Sequence, residues 1–255
     1  MAYVTAFAGK GGTGKTTIAA LTIRYLVEKR RKPVLAVDAD SNSCLNEALG
    51  VPVHATIGGL REESLAMVRS GAERPGGMSM EQLFDYQVQQ SLIESDGFDL
   101  MVMGRPEGPG CYCAANNIIR KYTDKLSARY PYVVIDNEAG MEHLSRRTTH
   151  EVDLLLVISD PTQKGIRTAA RINSLVDELN LNIGRRKLIV NRVSGENFTR
   201  LKNSGMDIPF EEICNVPEDG NIFRLDMEGR PVFELPPDSV AVRTVFEILD
   251  SADIP

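Results

Sequence analysis

The chain has 255 residues and a formal net charge of -6, from 29 Lys and Arg against 35 Asp and Glu, so no overall positive field favours nucleic acid. Hydrophobic residues at 42% and charged residues at 25% exclude wholesale disorder and a membrane-embedded body, and no apolar run approaches the roughly 18 to 20 residues that span a bilayer. Four cysteines are too few for a disulfide scaffold; they are expected to be thiols or metal ligands in a reducing cytoplasm, within one domain over residues 1–255.

Short apolar runs bounded by turn residues alternate with helical patterns, which predicts an α/β fold with a mostly parallel central sheet flanked by helices on both faces. A first strand over Val4–Ala8 feeds into Gly9-Lys10-Gly11-Gly12-Thr13-Gly14-Lys15-Thr16, and a helix follows from Thr16 to about Glu28. Gly-x-x-x-x-Gly-Lys-Thr between a strand and a helix is a phosphate-binding loop, the mark of a P-loop NTPase. Gly9, Gly11, Gly12 and Gly14 let backbone N–H groups wrap phosphates without Cβ clashes, with Thr13 and Thr17 alongside. Lys15 neutralises β/γ-phosphate charge, and the Thr16 hydroxyl can ligate Mg²⁺.

The next strand, Val34–Val37, ends in Asp38-Ala39-Asp40, on the sheet edge that carries the phosphate loop. Carboxylates there can hold Mg²⁺-bound water or orient an attacking water. Stretches at Ala72–Gly77 and Arg105–Gly110 read as long surface loops, the latter after a strand over Leu100–Met103. Gly108-Pro109-Gly110 then leads into Cys111-Tyr112-Cys113 and a helix over Ala115–Ala128. One Cys-x-Cys unit supplies two soft thiolates, short of the four that a closed tetrahedral Zn²⁺ site takes; two copies across a two-fold axis supply four. The alternative is a pair of buried small apolar residues, the reading that also suits the isolated Cys44 and Cys214.

A strand over Val133–Ile135 ends in Asp136, placed to reach Mg²⁺ through water, and Gly140 gives the loop after it freedom to respond to a γ-phosphate. His143 and His150 read as hydrogen-bonding residues rather than ligands. Strands over Leu154–Ile158 and Leu188–Val190 flank a helix over Ile166–Leu179. The last helix, Val240–Leu249, carries too little positive charge for a membrane-surface helix and reads as core-packing.

The extra lysine, Lys10, directly after the first glycine resembles the deviant Walker A loop of the family that includes nitrogenase iron protein, MinD and ParA proteins, arsenite-pump ATPases and CooC-type nickel-insertion proteins. The resemblance implies a homodimer, ATP-promoted or ATP-remodelled, in which Lys10 reaches the nucleotide of the opposing subunit. It places Asp40 in switch I as the residue that positions the attacking water and contributes to the Mg²⁺ site with Thr16 and Asp136, while Asp38 supports the site. The family often has proline after this second aspartate, where this chain has Ser41. Asn191 resembles the family's adenine-reading asparagine and Pro217-Glu218-Asp219 the segment that closes over the base. Asn191-Arg192-Val193-Ser194 is not a guanine-reading motif, which favours ATP.

Together, the Cys-Tyr-Cys unit, the Asp136-to-His143 segment and the chain length look like the CooC type. That resemblance implies Ni²⁺ or Zn²⁺ bound by Cys111 and Cys113 of two subunits, and a nickel enzyme client, carbon monoxide dehydrogenase or acetyl-CoA synthase. No nucleic acid or membrane partner is expected. Two rival readings stand beside it: an Fe–S electron donor like nitrogenase iron protein, although this chain lacks that family's second cysteine just after Asp136, and a ParA/MinD-type positioning ATPase.

Overall fold

A computed structural model describes residues 2–71, 75–105, 111–139 and 151–255, without the side chains of residues 111–114 and 116. Eight strands form one sheet: β1 (Tyr3–Gly9), β2 (Val34–Ala39), β3 (Ile93–Ser95), β4 (Phe98–Val102), β5 (Tyr132–Asn137), β6 (Glu151–Ser159), β7 (Asn182–Asn191) and β8 (Glu212–Val216). Their order is β3-β4-β2-β5-β1-β6-β7-β8, and every neighbouring pair is parallel except β3 with β4. Around the sheet lie α1 (Lys15–Tyr25), α2 (Leu45–Leu49), α3 (Ile57–Ser70), α4 (Met80–Gln90), α5 (Cys111–Ser127), α6 (Gln163–Glu178), α7 (Gly195–Lys202), α8 (Gly220–Met227) and α9 (Val240–Asp250).

Alternation along the strands divides the apolar side chains into two cores, because successive residues point to opposite faces. Phe7, Val34, Ala36, Tyr132, Val134, Leu154 and Leu156 face α1, α2 and α9, while Ala6, Leu35, Val37, Val133, Ile135 and Leu155 face α3 to α7. Burial of Phe7 alone, at 0% exposure, contributes about 2–3 kcal/mol. Helix α1 is buried from Ile18 to Tyr25 because α9 covers it from outside, and Ala241, Val242, Val245, Ile248 and Leu249 are the buried residues of α9. The last helix is therefore core-packing, as its charge pattern predicts, and no helix among the described residues is long and apolar enough to cross a membrane.

The expected core strands all form. The β3–β4 hairpin and the edge strand β8 add to them, the hairpin turning at Asp96-Gly97 with Gly97 at φ +86, the kind of turn glycine permits. Helix α5 begins at Cys111 rather than Ala115, so the Cys-x-Cys unit lies in its first turn and not in the preceding loop. Most of the two expected long loops, and Gly140, His143 and His150, lie outside the described residues.

Candidate nucleotide site

Because the core strands are parallel, their carboxyl ends share one edge, and each is followed by a loop that can carry chemistry. Register pairs Phe7 with Asp136 and Asp38 with Asp136, which brings the phosphate loop after β1, the aspartates of β2 and Asp136 of β5 side by side. Gly9 sits where a Cβ would come within 2.2 Å of the Ile158 carbonyl oxygen, so only glycine lets the loop leave β1 here. Gly14 then caps α1 with φ 92, and a Cβ there would meet Asn191 Nδ2 at 2.4 Å.

Four of the loop's carbonyls have identified partners. The Lys10 carbonyl accepts from the Thr13 hydroxyl at 2.9 Å and Lys15 Nζ at 3.4 Å; the Gly12 carbonyl accepts from Arg192 Nη2 at 2.6 Å; the Thr13 carbonyl accepts from Asn191 Nδ2 at 2.8 Å. The Gly14 carbonyl accepts from the Ile18 amide at 3.0 Å. Trans peptides point N–H opposite to C=O, so fixing these carbonyls fixes the N–H groups of the following residues on the other side, the arrangement that makes an anion-binding nest.

Lys15 is buried at 7% exposure. Burial lowers its pKa, opposed by the nearby carboxylates of Asp136, Asp40 and Glu138. An incoming phosphate would favour its charged form further. The Thr16 hydroxyl donates to Asp136 Oδ2 at 2.6 Å, while Asp136 Oδ1 is buried with no partner among the described groups. Burial pushes the Asp136 carboxyl up to about 6, against the Thr16 hydrogen bond and the Lys15 charge, with Asp40 adding to the rise. An orphaned buried carboxylate oxygen beside a hydroxyl fits a hard cation with oxygen ligands. Among the described residues no cluster of three or more His, Cys, Asp or Glu could hold a metal ion, so Mg²⁺ would be held with the help of phosphate oxygens.

Asp38 is wholly buried. Its Oδ1 accepts from the Asp40 amide at 3.0 Å and its Oδ2 from the Leu45 amide at 2.9 Å, so it clamps both ends of the Asp40–Cys44 segment. Burial carries its carboxyl up to about 7; the Leu45 and Asp40 amides oppose the rise and the charges of Asp136 and Asp40 add to it. Asp40 itself is half-buried and turns the chain by accepting from the Asn42 amide at 2.8 Å through Oδ1. Serine at 41 is compatible with this turn.

On the other side of the loop a cavity of about 290 Å³ is lined by Gly14, Thr17, Asn191, Arg192, Pro217 and Glu218 among others, which brings the expected base-side residues together. The Asn191 amide is not idle: Nδ2 donates to Thr13 and Oδ1 accepts from the Arg192 amide at 3.0 Å. Each amide atom keeps a second hydrogen-bonding capacity, so bracing the loop and pairing with a base are compatible. Asp219, next to Glu218, fixes the cavity wall by accepting from the Asn221 and Ala241 amides at 2.9 and 3.1 Å and from the Ser239 hydroxyl.

Lys10 is half-exposed beside the fully exposed Gly11 and Gly12, open to whatever approaches the edge. The side chains of Cys111 and Cys113 lie outside the described residues. Cys44 is an exposed thiol, and Cys214 is half-buried in β8. Asp38, expected to support the site, does so through the Asp40 and Leu45 amides, while Arg192 has no expected role and is the residue that motif reading misses. An arginine after the expected base reader has no fixed spacing signature, and only folding shows what it holds.

A profile described as the CobQ/CobB/MinD/ParA nucleotide binding domain matches residues 4–232. An uncharacterized ATP-binding protein of Methanocaldococcus jannaschii is 40% identical over 97% of both chains, and the carbon monoxide dehydrogenase accessory protein CooC of Rhodospirillum rubrum is 34% identical over 69% of this chain and 70% of its own. Among solved structures, the septum site-determining protein MinD of Pyrococcus horikoshii, complexed with Mg-ADP, superposes with a TM-score of 0.66 at 19% identity, covering 99% of this chain and 96% of that one. A ParA family ATPase of Chlorobium tepidum gives 0.69 at 20% identity over 96% of each. At that identity the superpositions establish the fold alone. The profile and the relatives at 30% identity and above go further: the chain is a member of the CobQ/CobB/MinD/ParA nucleotide-binding family, an ATP-binding P-loop domain.

Proposed function

We propose that the protein is a Mg²⁺-dependent, homodimeric ATPase that carries Ni²⁺ or Zn²⁺ between the Cys111 and Cys113 thiolates of two subunits and serves a nickel enzyme, carbon monoxide dehydrogenase or acetyl-CoA synthase. The observation that carries this reading is the 34% identity to an accessory protein of carbon monoxide dehydrogenase, in a chain with its own Cys-x-Cys unit. In support, the unit lies in the first turn of α5, where backbone N–H groups favour negative charge. Helix α5 packs on the same core as β2: Ala115 and Ile119 share a buried cluster with Leu35, Val37 and Ala39, immediately before Asp40.

In this reading Lys15 and the loop N–H groups bind the triphosphate, and Thr16, Asp136 and Asp40 hold Mg²⁺ and its waters. Asp40 orients the attacking water. Bound Mg²⁺ draws off charge that develops on the phosphates. Lys10 reaches the partner's phosphates, so ATP favours a closed dimer. Closure changes the spacing of the four thiolates, and metal affinity follows only to the extent that the two states bind it differently. Asn191, Pro217 and Glu218 enclose the adenine, and residues 1–255 act as one domain.

Equilibrium Ni²⁺ and Zn²⁺ binding tests the metal role, with Cys111→Ser and Cys113→Ser variants, with and without ATP. One metal per dimer, lost in either variant and changed in affinity by ATP, is the expected result. Unchanged stoichiometry in both variants overturns the metal reading, and an iron–sulfur chromophore in the purified protein turns it toward electron transfer.

A further inference from the structure

We propose that Arg192 is a positioning residue for the phosphate loop: its guanidinium sets the Gly12–Thr13 peptide so that the loop presents N–H groups to phosphate, and ties that peptide to the wall of the base cavity. The proposal rests on reading this edge as an ATP site. Arg192 follows β7 in the left-handed region, at φ 57, a conformation glycine takes freely and other residues adopt at a cost. The chain nevertheless places an arginine there, and the turn is held on both sides. The Arg192 amide donates to Asn191 Oδ1 at 3.0 Å, and the Val193 amide donates to the Val216 carbonyl at 3.2 Å. This reversal brings the guanidinium back over the phosphate loop, where Nη2 donates to the Gly12 carbonyl at 2.6 Å.

The geometry of a trans peptide turns that bond into a function. With the Gly12 carbonyl drawn to Arg192, the N–H of Thr13 points the opposite way; with the Thr13 carbonyl drawn to Asn191, so does the N–H of Gly14. Two consecutive peptides of an otherwise permissive Gly-Gly-Thr-Gly run thus take their orientation from adjacent residues of β7's exit. Gly12 has φ +76 and open space around it, so its own stereochemistry does not hold it there. Asn191 and Arg192 also line the cavity where the base is expected, so the same pair joins base recognition to phosphate recognition.

Isothermal titration with ADP and with adenosine, in EDTA, separates the two contributions without Mg²⁺, hydrolysis or dimer closure. Wild type is compared with Arg192→Ala and Arg192→Lys. Loss of one charge-assisted hydrogen bond that holds an already formed loop is expected to weaken ADP about tenfold. Adenosine, which makes no phosphate contacts, is expected to be weakened far less than ADP by Arg192→Ala. Arg192→Lys should recover most of the loss, because the Gly12 carbonyl needs a single donor and not a planar fork. Equal weakening of ADP and adenosine in Arg192→Ala would mean that Arg192 only props the cavity, and unchanged ADP binding would mean that the loop is set without it; either overturns the proposal. Failure of wild type to bind ADP would instead remove the ATP-site reading on which it stands.

Discussion

Asp136→Asn should make the metal-free protein more stable while removing its response to Mg²⁺ and ATP. Asp136 is 1% exposed, and among the described residues only one of its two oxygens has a partner, the Thr16 hydroxyl. Its carboxyl pKa rises from 3.8 to about 6, chiefly through burial, which corresponds to about 3 kcal/mol of penalty on the charged form at neutral pH. Asparagine keeps an oxygen for Thr16 and carries no charge, but its amide nitrogen enters the unpartnered position at a cost of about 1–2 kcal/mol. The net gain is about 1–2 kcal/mol, a rise in melting temperature of roughly 2–8 °C for a chain of this length. The sign depends on pH. The folded pKa lies above the ordinary one, so between about pH 4 and about pH 6 the folded state binds more protons than the unfolded state. Wild-type stability therefore falls as pH rises through that window, and the variant lacks this slope. Urea unfolding in EDTA at about pH 5 and about pH 8 should show the advantage of the variant growing with pH. Added Mg²⁺ and ATP should then stabilise wild type well above the variant. If Asp136→Asn is the less stable protein at the higher pH without metal, the carboxylate is compensated in the fold and Asp136 is not a cation ligand.

Gly14→Ala should cost about 2–4 kcal/mol, from its φ of 92 and the 2.4 Å approach to Asn191 Nδ2, and Asn191→Ala about 1–3 kcal/mol from its bond to Thr13. Combining them should cost at least 1 kcal/mol less than the sum, since removing the amide relieves the clash; simple additivity in urea unfolding would show that the two do not touch. Lys10→Ala should abolish ATP-dependent dimerisation in sedimentation velocity while a fluorescent nucleotide still binds, and dimers that persist would remove its cross-subunit role. Asp219→Ala should lose about 2–3 kcal/mol near neutral pH, because three hydrogen bonds go with the carboxylate. Burial alone would raise the Asp219 pKa, but the bonds from Ser239, Ala241 and Asn221 carry it below the ordinary value. Its contribution is thus complete above the ordinary carboxylate range and disappears as pH falls through the folded value, so the gap between the two proteins should close in acid; a gap independent of pH would point to packing instead.

The parallel core was legible because its buried strands are short apolar runs, three of them carrying Asp38, Asp136 and Asn191 at their carboxyl ends, and the phosphate loop because its glycines answer to a fixed backbone shape. The hairpin at Asp96-Gly97 and the edge strand Glu212–Val216 escaped notice for the opposite reason. Glu94, Ser95, Glu212 and Asn215 give them little apolar alternation, and an edge strand needs burial on only one side. Helices α3 and α4 were missed as well: Thr56 and Ser79 cap them, but Gly58 and Gly59 near the start of α3 look like loop residues. Their place is set by tertiary contacts, such as the Gly58 amide on the Met103 carbonyl and the Lys121–Glu81 and Lys125–Asp85 pairs between α5 and α4. At the site, the types and spacing of Lys15, Thr16, Asp40 and Asp136 announced themselves. The bracing roles of Asp38, Asn191 and Arg192 did not, because each consists of hydrogen bonds to backbone atoms of other segments.

Those bracing bonds bear on how the site would take up a nucleotide. Asp38 and Asp136 are buried carboxyls whose charged forms the fold disfavours, and Asp40 stands close enough to both to add to that effect. Lys15, a cation buried among them, is itself disfavoured by burial. A site with this balance has surplus negative potential without metal and surplus hydrogen-bond donors without phosphate. In the proposed reading Mg²⁺ and phosphate would answer both together, whereas either alone would answer one and worsen the other. Asp38 also joins two strands' exits: its carboxylate holds the amides of Asp40 and Leu45, and the carbonyl of the same residue accepts from the Met103 amide at 2.8 Å, after β4. In the proposed cycle a change in charge at Asp136 and Asp40 would act through Asp38, which holds the segment from Asp40 to Leu45 and pairs with Met103 just after β4.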